Sequence, residues 1–143
     1  MKKVLILGAG LVARPLVRYL LDMGVAVTQA TRTIRKAEAM IEGHPNGTAM
    51  ELDMADDDSG VRFEKVVRET DLVVSLLPYV FHPEVARACL KFGKNMVTTS
   101  YVSEEMHALH EEAQHEGLLI LNECGLDPGL DHMSAMRIIH GIE

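Results

Sequence analysis

Hydrophobic positions along the chain fall into two alternating textures. Short apolar runs end at glycine, proline or a polar cluster, and longer stretches carry apolar residues every three or four positions. The first texture is that of a strand buried on both faces, the second that of a helix with one face inward. Val4-Leu5-Ile6-Leu7 is the first run and stops at Gly8. Residues 11–21 then set Leu16, Val17, Leu20 and Leu21 at helical spacing, with Gly24 as a natural stop. Further strands are expected at 25–31, 48–52, 72–77, 95–99 and 118–121, and helices at 34–41, 61–68, 83–92, 103–116 and 131–142. Residues 43–47, with Pro45 and Asn46, read as a loop. The acidic turn of Asp56, Asp57, Asp58, Ser59 and Gly60 suits the start of a helix, where the dipole presents positive charge.

Strands separated by helices through nearly the whole chain predict an α/β fold, a doubly wound parallel sheet (Rossmann fold) with helices on both faces. Ligands of such sheets gather beyond the carboxyl ends of the strands. That rule directs attention to residues 8–13, 31–33, 53, 75–79, 98–101 and 122–129.

Composition changes this picture little. The length of 143 residues is about one domain, and 48% hydrophobic with 24% charged residues is ordinary for a globular protein. Fourteen lysines and arginines against 21 acids leave a formal charge of −7, which argues against a nucleic-acid partner. A local basic patch would have to serve a small anion. No stretch approaches the ~20 apolar residues that span a bilayer, so no membrane partner is expected. Lys2 and Lys3 before the first run imitate a secretory leader, but glycines interrupt it and Arg14-Pro15 stands where a small-residue cleavage site belongs. Cys89 and Cys124 are too few for a disulfide framework and lack metal-type spacing, so a cytoplasmic location is expected.

Gly8-Ala9-Gly10-Leu11-Val12-Ala13 is a G-x-G-x-x-A sequence between an apolar strand and a helix, the context a dinucleotide fingerprint requires. Gly8 allows the tight turn, Gly10 lets a pyrophosphate approach the backbone, and Ala13 keeps the helix close to the sheet. The helix start offers free N–H groups to the phosphates. A site for NAD would place an acid at the end of the second strand, yet none occurs between Asp22 and Glu38. Thr31-Arg32-Thr33 stands there instead, with Arg35 and Lys36 behind, and a guanidinium fork suits a 2′-phosphate. NADP is the expected cofactor.

Other positions keep two readings. Asp53 can bond an adenine amino group or cap the next turn. Pro78 either lines the nicotinamide half of the site or simply ends its strand. The segment from Asn122 to His132 holds more ionisable groups than a turn needs, and Asp127 before Pro128 is biased to an extended backbone that can project its carboxylate over the sheet. Asp131 and His132 can move protons or can cap and open the last helix. Thr98, Thr99, Ser100 and Tyr101 gather four hydroxyls at one strand end, but Glu105 stands where a tyrosine-lysine dehydrogenase would need its lysine. His107, His110, His115 and Glu111 read as a wet helix face, and no metal site is expected. Cys89 reads as core, and Cys124 has no evident base to activate it.

Four segments together resemble the saccharopine dehydrogenase family, within it the NADP-dependent, L-glutamate-forming branch: residues 4–16, 75–83, 97–103 and 125–133. Gly125-Leu126-Asp127-Pro128-Gly129-Leu130-Asp131-His132-Met133 is far more specific than the glycine fingerprint. The resemblance implies an oxidoreductase of lysine metabolism that reversibly joins the semialdehyde of 2-aminoadipate to glutamate and reduces the imine. It implies NADP contacts at Gly8, Gly10, Leu11, Val12, Ala13, Thr31, Arg32, Thr33, Asp53, Met54, Ser75 and Leu76. It implies substrate contacts at Ser100, Tyr101 and Asp127; of these, Asp127 is the first candidate for the catalytic proton carrier and Tyr101 the second. Cys124 departs from the aliphatic residue more usual in the family. Family members also continue into a second domain, so residues 1–143 are expected to form a dinucleotide-binding domain that stops before the substrate domain and turns over little alone. A free-standing dinucleotide sensor and a relic domain with only an interaction role are the alternatives. An apolar surface around the final helix makes a homo-oligomer possible.

Overall fold

The computed structural model of the protein describes residues 1–56 and 59–142, so the expectation for Asp57 and Asp58 lies outside the described residues. In chain order the elements are β1 (Lys3–Leu7), α1 (Ala13–Asp22), β2 (Ala26–Thr31), α2 (Ile34–Ile41), β3 (Gly47–Glu51) and α3 (Gly60–Arg68). They continue with β4 (Leu72–Ser75), a 3₁₀ turn at Tyr79–Phe81, α4 (His82–Lys91) and β5 (Asn95–Thr98). Last come α5 (Glu104–His107), α6 (His110–His115), β6 (Ile120–Leu121) and α7 (Leu130–His140). The strands form one parallel sheet in the order β3-β2-β1-β4-β5-β6, the doubly wound arrangement expected.

The continuous apolar run of β1 has a direct cause. Successive side chains of a strand point to opposite faces, and both faces here are covered. Val4 and Ile6 join Val74 against α1 and α2, through Ala13, Val17, Leu21, Met40 and Ile41. Leu5 and Leu7 join Val73 and Met96 against α3 to α6, through Phe63, Val67, Val85, Cys89, Met106 and Ala113. Burial pushes the Cys89 thiol up to about 12, so it behaves as an inert core group.

Three expected elements differ. Residues 103–116 form two short helices rather than one, because the Leu109 N–H bonds the Met106 carbonyl three residues back at 3.2 Å and tightens the chain into a turn. The strand expected at 72–77 ends at Ser75: the Leu76 N–H still reaches the Leu7 carbonyl at 2.8 Å, and Pro78 then leads into the 3₁₀ turn. The last strand shrinks to two residues at the sheet edge. Among the described residues no helix is long and apolar enough to cross a membrane.

Candidate functional site

The strand order reverses between β1 and β4, and two clefts open along that end of the sheet. The first, of about 330 Å³, is lined by the glycine loop at Gly8, Ala9 and Gly10, by Thr31, Arg32, Thr33 and Lys36 after β2, by Leu52 to Ala55 after β3, and by Leu76, Leu77, Pro78 and Phe81 after β4. The second, of about 420 Å³, is lined by Tyr79, Thr99 to Ser103, Asp127 and Pro128. The fingerprint and the hydroxyl-rich segment therefore lie at the same end of one sheet.

The glycine loop is built as the fingerprint requires. Gly8 leaves β1 with φ +101°, and a Cβ there would stand 2.7 Å from the Leu76 carbonyl oxygen, so only glycine fits. Its N–H bonds the Ala30 carbonyl at 2.9 Å, and its own carbonyl accepts from Gln29 Nε2 at 2.7 Å. A Cβ on Gly10 would meet nothing within 4 Å, which leaves the space beside the loop open. Leu11 and Val12 follow, exposed, and Ala13 is wholly buried at the first turn of α1. That turn carries no acid, so the positive end of the helix dipole is available to an anion. Arg14 in the same turn pairs with Glu42.

At the end of β2, among the described residues, no hydrogen bond or ion pair engages the side chain of Arg32 or Lys36. Both line the first cleft, where Asp53 is the one acid among the described residues. Asp53 also makes the turn bond of its second reading, accepting from the Ala55 N–H at 3.0 Å, and Met54 lies beside it in the same wall. Two free cations and two threonines around a glycine loop suit a dinucleotide with an additional phosphate on its ribose. Ser75 ends β4 next to this wall. It is fully buried, its hydroxyl is 2.9 Å from His82 Nδ1, and the following Leu76, Leu77 and Pro78 line the cleft.

In the second cleft the Tyr101 hydroxyl donates to Asp127 Oδ1 at 2.6 Å. This bond, and the negative charge behind it, pushes the Tyr101 phenol up to about 12. The segment that carries Asp127 is tied to the end of β5: the Cys124 N–H reaches the Thr98 carbonyl and the Glu123 N–H the Ser100 carbonyl, each at 3.1 Å. Gly129 closes the turn, since a Cβ there would stand 2.1 Å from the Gly125 oxygen. Asp131 caps this corner by accepting from the Gly129 N–H at 2.9 Å, and it also holds His132 Nδ1 at 2.8 Å. The His132 ring meets Tyr101 edge to face with centroids 6.5 Å apart. Cys124 is exposed and free. His107 and His110 stack with centroids 6.2 Å apart, and the described residues hold no group of metal-ligating side chains.

Sequence reading missed His82. It is only 2% exposed at the start of α4, and it touches three hydroxyls: Ser75 at 2.9 Å through Nδ1, Thr98 at 2.9 Å and Ser100 at 2.8 Å through Nε2. Ser75 and Thr98 are register partners in β4 and β5, so only the pairing of the strands reveals the cluster. The sole hint in the sequence is a polar ring directly before Pro83 at a helix start.

Comparison with known proteins agrees with this geometry. Residues 4–121 match the family model described as the saccharopine dehydrogenase NADP binding domain. The chain is 43% identical over 143 residues to saccharopine dehydrogenase [NADP(+), L-glutamate-forming] of Schizosaccharomyces pombe, covering 99% of this chain and 31% of that protein. It is 38% identical over 139 residues to the mitochondrial alpha-aminoadipic semialdehyde synthase of Mus musculus, covering 96% of this chain and 15% of that protein. The apo structure of saccharopine dehydrogenase (L-Glu forming) from Saccharomyces cerevisiae superposes with a TM-score of 0.86 at 38% identity, over 99% of this chain and 31% of that one. The chain thus spans under a third of the length of these relatives, and it belongs to the saccharopine dehydrogenase family as an NADP-binding domain.

Proposed function

We propose that this chain is the cofactor half of an oxidoreductase that reversibly joins glutamate to 2-aminoadipate semialdehyde, and that alone it binds NADP with little turnover. The observation that carries the cofactor assignment is Arg32 in the glycine-loop cleft, its side chain unpaired among the described residues, with Lys36 beside it and no acid at the end of β2. Gly8, Gly10 and the first N–H groups of α1 would hold the pyrophosphate, and Thr31, Arg32 and Thr33 the 2′-phosphate. Asp53 and Met54 would flank the adenine side, and Leu76 the nicotinamide side. The cofactor, when bound, supplies a hydride.

The chain's own groups handle orientation and protons. Ser100 and Tyr101 offer hydroxyls to an amino-acid ligand, and Asp127 offers a carboxylate that holds or accepts a proton at a substrate amine. Tyr101 keeps its proton because Asp127 accepts it in a hydrogen bond, which leaves Asp127 as the proton carrier and Tyr101 as the group that orients it. The exposed apolar side chains of α7 support self-association of this chain.

Calorimetric titration with NADP and NAD tests the reading. NADP is expected to bind more tightly, and Arg32→Ala to weaken NADP by roughly ten- to hundredfold with NAD unchanged, since a hydrogen bond to a charged group contributes about 1.5–3 kcal/mol. Equal affinity for the two nucleotides, or equal losses in the variant, would overturn the NADP assignment. Absence of binding to either would leave the relic-domain alternative.

A further inference from the structure

The His82 cluster has no place in the function so far. A neutral imidazole offers one N–H and one lone pair, and burial holds the His82 pKa below its ordinary value, so the ring is neutral near pH 7. Nδ1 faces one hydroxyl, that of Ser75, while Nε2 faces two, those of Thr98 and Ser100. Ser75 is wholly buried, and among the described residues its hydroxyl has no partner but the ring. Ser75 and the equally buried Thr98 both present a hydroxyl to the ring, whose single lone pair lies on either Nδ1 or Nε2, and with the Ser75 O–H donating it lies on Nδ1. The ring proton then sits on Nε2, where one N–H can be shared between two acceptor oxygens. Thr98 Oγ1 already acts as an acceptor, taking the Ser100 N–H at 3.4 Å. Ser100 Oγ, fixed as the second acceptor, keeps its own proton for a different direction. It lies in the lining of the cleft that holds Tyr101 and Asp127.

We propose that His82 is a positioning residue: relayed from Ser75, its Nε2–H holds the Ser100 oxygen and turns the Ser100 hydroxyl proton outward as a donor to a carboxylate of the ligand in the Tyr101–Asp127 cleft. The identity of that ligand as an amino acid rests on the function proposed above, while the hydrogen-bond direction within the cluster does not. Tyr101 and Ser100 then divide the work. The phenol is committed to Asp127, so of these two neighbours Ser100 is the one whose hydroxyl is free to take an anionic oxygen. A cleft whose one carboxylate repels anions needs such a donor.

Nitrogen-15 NMR of the histidine-labelled chain tests the cluster directly, with His82→Gln identifying the His82 signals. A neutral ring protonated at Nε2 is expected, and protonation at Nδ1 overturns the relay. The NADP-saturated chain is then titrated with L-glutamate while the amides of Ser100 and Tyr101 are followed. Shifts are expected in the wild type, and their apparent affinity should fall by about tenfold or more in His82→Phe, which keeps a ring but no nitrogen, and in Ser100→Ala. His82→Gln, which keeps an N–H donor, should recover part of the loss. Glutamate shifts that survive in His82→Phe, or that never arise in the wild type, overturn the positioning role. Should His82→Phe fail to fold, the wild-type tautomer and Ser100→Ala still decide. NADP titration of the same samples separates the two readings: a wild type that ignores NADP sinks the function proposed above, and the tautomer still judges the relay.

Discussion

Tyr101 keeps its proton to unusually alkaline pH because its phenol donates to Asp127 Oδ1 at 2.6 Å, so ionisation would set two negative charges side by side. The phenol's pKa of about 12 lies above its unfolded value, so the contribution to stability is fully present below about pH 10 and is lost as pH rises through about 12. Ultraviolet titration of the wild type against Tyr101→Phe isolates this group. Asp127→Asn, which removes the carboxylate charge, is expected to bring the phenol back toward about 10. An unchanged titration in Asp127→Asn would show that the pair is not formed. The same bond distinguishes the two residues at neutral pH, since the proton belongs to Tyr101 and the accepting oxygen to Asp127.

Between β1 and α1, two glycines two positions apart do different work, and substitution separates them. Gly8→Ala puts a methyl 2.7 Å from a backbone oxygen at φ +101°. The conformational strain alone is about 1–3 kcal/mol, so the urea midpoint should fall and dinucleotide binding should weaken with it. Gly10→Ala meets no protein atom within 4 Å, so stability should change by no more than about 0.5 kcal/mol while NADP affinity drops. Equal stability losses in the two variants would mean that the loop's shape is not what reserves the space. This division was legible from the fingerprint, because each glycine's task follows from its place in a strand-turn-helix. The strands of the sheet were legible for a similar reason: burial on both faces writes itself as an unbroken apolar run. The break between α5 and α6 was not, since Met106, Leu109 and Ala113 keep helical spacing on either side of a turn made by one short backbone bond. His82 was hidden for a further reason. Its partners come from two strands and a loop, up to 18 positions from it along the chain, and their meeting depends on the β4–β5 register.

The molecule as a whole carries two opposing surface tendencies. In α7 every described residue is exposed, and Leu130, Met133, Met136, Ile138 and Ile139 leave apolar area in water on more than one side of the helix, with Ile142 just beyond it. Contiguous apolar area of this kind favours association. The formal charge of −7 acts against it, because like-charged copies repel over a Debye length of about 10 Å at 0.1 M salt and about 3 Å at 1 M. Association should therefore strengthen as salt is added, the reverse of an interface held by ion pairs. Sedimentation velocity over a concentration series is expected to show species heavier than the 15.8 kDa chain, with their share rising with concentration and again with sodium chloride. Met133→Lys combined with Ile138→Lys places cations on two sides of α7 and should lower that share. These positions lie outside both clefts, so NADP affinity should stay unchanged. A mass that remains 15.8 kDa at every concentration and salt level would show that this surface is tolerated in water. Association that weakens with salt would place the contact on charged faces of the domain instead.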